Sequence, residues 1–286
     1  MNDHSLLRQH GRTIARGFVA LVLLAAVGYL AVVTALYVGQ ERIIFPASTL
    51  PADHRFRFAQ PFREVRVPVP GAELDALHFT QPEPRGLVFF LHGNAGDLST
   101  WTSGVDFYQR VNYDLFIFDY RGYGRSTGKI ESEAQLHADV RAAWDLIAPR
   151  YRSRNLPIVI YGRSLGTGLA ATLAREVDPA LVMLVTPYVS VAAASRRAYP
   201  FVPGWALRYP MRTDAVIGEV KSPILLVHGT QDRLIPLSDS EQLRTLARSP
   251  TTLLVIEGAG HNDIHQFPTY LDGLAAALDR VAQPGP

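Results

Sequence analysis

Six short runs in this chain are apolar without interruption, at 87–91, 115–118, 158–161, 181–185, 224–227 and 253–256. A strand with one wet face alternates polar and apolar residues. Runs that never alternate belong to strands covered on both faces, which is the condition of a parallel sheet held between layers of helices. Amphipathic stretches with helical spacing fall between and after them, at 99–110, 131–147, 165–176, 238–247 and 264–280. Ahead of this series, 65–69 and 74–79 read as two more strands joined through the Pro70-Gly71 turn. The expectation is an α/β domain wound around one sheet, with its ligand beyond the carboxyl ends of the strands.

The amino-terminal part obeys a different pattern. Residues 17–39 form 23 consecutive positions without a charge, rich in Leu, Val and Ala. As a helix they would reach roughly 35 Å, enough to cross a hydrocarbon core of about 30 Å. A buried core helix is disfavoured by the position of the run and by Arg8, Arg12 and Arg16 before it. A cleaved signal peptide has a shorter apolar region of about 7 to 15 residues, although Val33-Thr34-Ala35 would serve as a cleavage site. The expected organisation is a short basic tail at 1–16, a single-pass anchor at 17–39, a juxtamembrane linker at 40–63 and a catalytic domain at 64–286. Arginines before and after the span nearly balance, so the positive-inside count is close to a tie. A short basic head followed by a long folded domain favours an extracytoplasmic body. Arg42, Arg55, Arg57, Arg63 and Arg66 suit either anionic headgroups or a solvated linker.

Composition narrows the partners. The 286 residues carry a net charge of +2. Residues 1–66 hold eight arginines against four acids, so the rest has no basic field of the kind nucleic acid requires. With no cysteine, disulfides, thiolate metal sites and cysteine nucleophiles are excluded. No pattern calls for a metal or an organic cofactor.

Gly162-Arg163-Ser164-Leu165-Gly166 follows the run at 158–161 and opens an amphipathic stretch. A serine at a tight strand-to-helix turn is lifted clear of the sheet, and small residues two before and two after it let the backbones pass. Its hydroxyl needs a base, and the base needs a carboxylate to orient it. Asp232, in His228-Gly229-Thr230-Gln231-Asp232, and His261, in Gly258-Ala259-Gly260-His261-Asn262, each follow a buried run. Their order Ser164, Asp232, His261 is that of α/β-hydrolases. Two oxyanion donors are also needed. Leu165 supplies one amide, and the turn His92-Gly93-Asn94-Ala95-Gly96 the other, from Asn94 with Ala95 as second choice. His92 reads as structural, His265 as helix surface and Asp263 as a helix cap.

These pieces, together with Asp119-Tyr120-Arg121-Gly122-Tyr123-Gly124-Arg125-Ser126-Thr127-Gly128, resemble the membrane-anchored BEM46-like group of serine α/β-hydrolases. The resemblance runs from about residue 40 to the last helix. It implies an eight-stranded, mostly parallel sheet with an antiparallel second strand, an amino-terminal anchor, and hydrolysis of acyl esters or thioesters. By position it carries over Ser164 as nucleophile, Asp232 as acid, His261 as base, and Asn94 and Leu165 as oxyanion donors. The stretch 119–128 suits either the substrate entrance or a packed loop beneath the turn at Asn94.

Residues 187–216 hold aromatics and prolines and are read either as core packing or as a small lid facing acyl chains, with Tyr188 and Trp205 as candidate substrate contacts beside Ala95. The expected partners are the bilayer and an acyl ester, thioester or lipid-like small molecule. A serine peptidase or amidase with the same triad is the enzymatic alternative, and a non-catalytic membrane scaffold the other.

Overall fold

The computed structural model describes residues 3–283. Its first element, α1 (Asp3–Ile44), passes through and beyond the expected anchor on both sides. Charge alone does not end a helix: Arg, Gln and Glu are good helix formers, and the break comes at Pro46. Residues Ile14–Ile44 are long and apolar enough to cross a membrane, and almost none of this surface is buried by the protein, unlike that of a core helix. Among its described side chains the buried ones, Val33 and Gln40, lie on one stripe, along which Tyr29 and Gln40 bond the segment 199–209.

The domain follows as β1 (Phe62–Val69), β2 (Ala72–Phe79), β3 (Leu87–Leu91), α2 (Leu98–Trp101), α3 (Asp106–Arg110), β4 (Asp114–Phe118), α4 (Glu133–Arg152), β5 (Ile158–Arg163) and α5 (Gly166–Val177). It continues as β6 (Leu181–Val185), α6 (Val191–Ala198), α7 (Thr213–Val216), β7 (Ile224–Gly229), α8 (Leu237–Leu246), β8 (Thr251–Ile256) and α9 (Pro268–Ala282). The eight strands lie in the order β1-β2-β4-β3-β5-β6-β7-β8. β2 runs antiparallel to both neighbours, and β4, β3, β5, β6, β7 and β8 are mutually parallel. This is the expected α/β-hydrolase sheet.

The unbroken apolar runs are explained by what covers them. Leu87, Phe89 and Leu91 of β3 face a core completed by α4 and α5, where Trp144 meets Phe89 edge-on with 5.4 Å between centroids. Val88 and Phe90 face the opposite core, closed by Phe107 of α3 and by Leu274 and Leu278 of α9. β8, the edge strand, is only partly buried. Two expected helices are broken in ways the residues account for. The stretch 99–110 splits into α2 and α3 around Ser103-Gly104, and 264–280 restarts at Pro268, which takes the first helical turn where its missing N–H costs nothing.

Candidate active site

β5 leads into the turn that carries Ser164. Ser164 has φ +49°, in the left-handed region a side chain occupies only when its surroundings enforce it. The enforcement is visible on both sides. The Ser164 N–H donates to the Val185 carbonyl at 3.0 Å, and its own carbonyl accepts from the Thr167 N–H and hydroxyl at 2.9 and 2.7 Å. A β-carbon at Gly162 would fall 2.6 Å from the Gly166 carbonyl, and one at Gly166 would run into the carbonyls of Leu91 and His92. Both glycines are therefore required for β5, α5 and β3 to meet here.

Asp232 sits in the turn after β7, its side chain buried. One carboxylate oxygen accepts from the Leu234 and Ile235 amides at 2.9 and 2.8 Å; the other lies 2.7 Å from His261 Nδ1. Because a carboxylate only accepts, His261 Nδ1 carries the proton. Its Nε2 is then free to accept from the Ser164 hydroxyl 2.9 Å away. His228, fully buried, adds a further donor. Its Nε2 lies 2.9 Å from the Ile235 carbonyl and 3.4 Å from Asp232, while its Nδ1 accepts from the Ser240 hydroxyl at 2.7 Å. Burial alone would push the Asp232 carboxyl up. The donors His228, His261 and the Ile235 amide reverse this and hold it well below the usual carboxylate range.

The turn after β3 lies beside the serine: a β-carbon at Gly93 would come within 3.6 Å of Ser164 Cβ. Neither the Asn94 nor the Leu165 amide N–H has an acceptor among the described residues. The stretch 119–128 holds this turn from beneath. The Tyr120 hydroxyl donates to the His92 carbonyl at 2.9 Å and the Tyr123 hydroxyl to the Asn94 carbonyl at 2.6 Å, with both rings buried. Of the two readings of that stretch, the packed support is the one the structure bears out. His92 is structural too, its ring spanning the Gly93 carbonyl at 2.7 Å and the Asp119 carboxylate at 3.4 Å. Asp263 accepts from the Gly260 amide at 2.7 Å, fixing the turn that carries His261.

Two cavities flank the triad. The larger, about 780 Å³, lies between α1, α6 and the turn at 204–206, and reaches Asp232 and Leu234. The smaller, about 440 Å³, is lined by Ala95, Trp101, Arg163, Tyr270 and Asn262 and adjoins the oxyanion turn. Ser164 is 9% exposed and is in the wall of neither. His265 lines the smaller cavity as well as facing solvent.

Ser164, Asp232, His261, Asn94, Leu165 and Ala95 are thus brought together. Tyr188 and Trp205 are not. Tyr188 is buried behind α5, where its hydroxyl donates to the Leu165 carbonyl at 3.0 Å. Trp205 is 77% exposed, because the 3-10 turn Gly204–Ala206 directs Ala206 inward and the indole outward. Arg163 and His228 stand inside the motifs at 162–166 and 228–232, where nothing in the sequence marks their roles. Arg163 donates to the His261 carbonyl and so ties the base to the elbow. Ser48, which binds the Asp97 carboxylate below the oxyanion turn, carried no sequence signal.

An eight-stranded sheet with one antiparallel strand, and a serine elbow beyond β5, define an α/β-hydrolase fold. A family model described as "Serine aminopeptidase, S33" matches residues 82–215. The human alpha/beta hydrolase domain-containing protein 17B is 36% identical over 194 residues, 68% of this chain and 66% of that relative, just under two thirds of its length. Among solved structures, an esterase of Pyrococcus furiosus superposes with a TM-score of 0.67 at 17% identity, covering 84% of this chain and 99% of that one. A bacterial membrane phospholipase A superposes with a TM-score of 0.62 at 17% identity, covering 96% of this chain and all of that one (100%). The chain belongs to the α/β-hydrolase superfamily, in agreement with the BEM46-like pattern of its motifs.

Proposed function

We propose that the protein is a membrane-tethered serine hydrolase that cleaves acyl ester or thioester bonds through an acyl-enzyme. The observation that carries this reading is the continuous relay from Ser164 through His261 to Asp232, with hydrogen bonds of 2.9 and 2.7 Å. Ser164 Oγ attacks the carbonyl carbon as its proton passes to His261 Nε2. The imidazolium so formed is stabilised through Nδ1–H by Asp232, which stays ionised. The negative charge on the carbonyl oxygen is met by the amides of Asn94 and Leu165, at the amino end of α5, where the helix dipole favours it. His261 returns the proton to the leaving alcohol or thiol. Water, activated by the same imidazole, then releases the acid. No step uses a metal or an organic cofactor.

The description of the matching family model favours a second reading, an aminopeptidase. Holding a substrate's α-ammonium calls for a free carboxylate near the serine. The smaller cavity has no acidic residue in its lining, and the larger has only Asp232, already engaged. A non-catalytic scaffold has no physical need for the relay. The test compares matched fatty acyl esters and aminoacyl amides, with fluorophosphonate labelling as the readout of the nucleophile. Ser164→Ala is expected to lower ester turnover by about 10⁶-fold and to abolish labelling; persistence of either in pure protein removes the assignment.

We further assign 1–16 to a basic tail, 17–39 to the membrane crossing, 40–63 to the connection and 64–286 to the catalytic domain, placed on the extracytoplasmic side. The 23-residue uncharged run and the exposed apolar surface of α1 support the anchor. The absence of native cysteine makes orientation testable. A cysteine introduced at exposed Ser103 in intact cells is expected to react with a membrane-impermeant maleimide, and protection until lysis would reverse the orientation.

A further inference from the structure

The larger cavity has an unusual wall. Leu36, Tyr37, Gln40, Ile43 and Ile44 of α1 form one side of it. The candidate membrane span Ile14–Ile44 has 31 residues, whereas about 20 suffice to cross a bilayer. Of the residues facing the cavity, Leu36 and Tyr37 lie in the last turn of the assigned crossing 17–39 and Gln40, Ile43 and Ile44 beyond it, so the cavity stands at the end of the span. The contact begins higher up. The Tyr29 hydroxyl donates to the Phe201 carbonyl at 2.9 Å, and Val33 is buried one turn further on. Tyr29, Val33, Leu36 and Gln40 recur at helical spacing, so a single face of α1 lies against the segment 199–207.

The opposite wall comes from α6 and the turn after it. Val191, Ala192, Ala194 and Ala198 present small apolar side chains to the space. Tyr199, Phe201, Trp205 and Leu234 stand exposed on or beside its rim, and they are four of the seven exposed large hydrophobic residues outside α1. Such a cluster beside an exposed apolar helix marks a surface that water does not cover in the working protein. Aromatic side chains of this kind favour the membrane boundary. Arg196 and Arg233 also line the cavity and pair with no carboxylate among the described residues, in the position where headgroup phosphates would lie.

We infer that this cleft between α1 and the α6 segment is an acyl-chain site loaded sideways from the bilayer, its ligand being a membrane lipid with a long acyl ester and an anionic headgroup. The inference rests on the hydrolase reading for its chemistry but not for its geometry. The rim aromatics sit in the interface and the arginines hold the phosphate. The chain slides along α1 without entering water; the cleft ends against the turn of Asp232 and Leu234, and from there the ester has to reach Ser164. A volume of about 780 Å³ lies within the range of small-molecule pockets and would take an acyl chain of the lipid, the rest of which stays in the bilayer. Trp205, which stands away from the triad, has its place on this outer rim.

The test uses the full-length protein in phosphatidylcholine vesicles containing phosphatidylglycerol. Ala194→Trp and Ala198→Trp fill the cleft. The ratio of turnover of a vesicle-borne phosphatidylglycerol with long acyl chains to that of soluble p-nitrophenyl acetate is expected to fall at least about tenfold in each. An unchanged ratio overturns the inference, as does an equal fall of both activities. The wild-type protein supplies a second measurement that needs no variant. A phosphatidylglycerol bearing a diazirine near the end of its acyl chain is expected to crosslink to 36–44 and 191–207; crosslinks confined to 14–32 would show only general contact with the bilayer and overturn the site. Loss of acetate turnover and of fluorophosphonate labelling in the wild type would instead defeat the hydrolase reading, leaving the crosslinks to decide the cleft.

Discussion

At the scale of single residues, Asp232 carries the heaviest electrostatic demand. A carboxylate with a buried side chain stays ionised only because it accepts from the Leu234 and Ile235 amides and from His261, with His228 close by. Its folded pKa lies below the unfolded value, so the stability it contributes is complete above about pH 4 and is lost as the pH falls below that range. Asp232→Asn keeps an acceptor for the two amides but turns the His261 tautomer the wrong way, and kcat is expected to fall about 10⁴-fold. The denaturation midpoints of wild type and variant should differ at pH 7 and begin to draw together as the pH falls below about 4; a gap that widens on acidification would mean that the carboxylate is not stabilised as described. Ser164, Asp232 and His261 were legible in the sequence because each stands in a glycine-flanked turn after an apolar run. Tyr188 and Trp205 were not, since an aromatic in a proline-rich stretch does not reveal which way its backbone turn will point it.

At the scale of elements, the sheet could be read from the chain and the ends of its helices could not. Each of the six short apolar runs became a strand: in five of them burial on both faces leaves its mark at each position, while 253–256 became the partly buried edge strand β8. The stretch 45–50 left no such mark. It joins the domain through isolated bridges, Ala47 with Gly96 and Thr49 with Gly124, and its pattern has neither a helical nor a strand period. Yet these contacts place the exit of α1 directly beneath the oxyanion turn. The Ser48 N–H donates to the Gly96 carbonyl, and its hydroxyl binds Asp97, the residue that caps α2 through the Ser99 amide. Burial raises the Asp97 carboxyl, and its bonds from Ser48 and Ser99 bring it below the ordinary value. Ser48→Ala removes one charge-assisted bond, of order 1.5–3 kcal/mol when formed. If part of that loss reaches the turn, kcat for a short soluble ester should drop about 3- to 30-fold with KM unchanged. Equal kcat values for wild type and variant would show that the turn at Asn94 holds its shape without this tie.

At the scale of the whole molecule, the question is whether α1 is a tether or a structural part of the hydrolase. A tether would touch the domain only through its connecting chain. Here the Gln40 side chain is 5% exposed and has both ends engaged: Nε2 donates to the Tyr37 and Ala206 carbonyls at 2.9 and 3.2 Å, and Oε1 accepts from the Arg208 amide at 2.7 Å. Next to it Glu41 pairs with Arg208 at 2.5 Å and accepts from the Tyr209 hydroxyl at 3.0 Å. Gln40→Leu keeps much of the volume but leaves the Ala206 carbonyl and the Arg208 amide without partners, at about 1–3 kcal/mol for each buried group. The Gln40 bonds themselves lie outside the sheet, although Ile44 and Tyr209 beside them pack on one core, so the cost falls first on the hinge between α1 and the segment 199–209. Arg196, Arg197, Arg208 and Arg212 are exposed already; opening of that hinge frees the backbone around them to enter the trypsin cleft, and a shift of 1.4 kcal/mol in an opening equilibrium changes cleavage tenfold when reclosing is fast. Gln40→Leu in detergent is therefore expected to speed cleavage within 196–212 by about tenfold or more, while the fragment carrying β7, β8 and α9 stays intact. Cleavage at the wild-type rate would mean that α1 anchors the domain without shaping it.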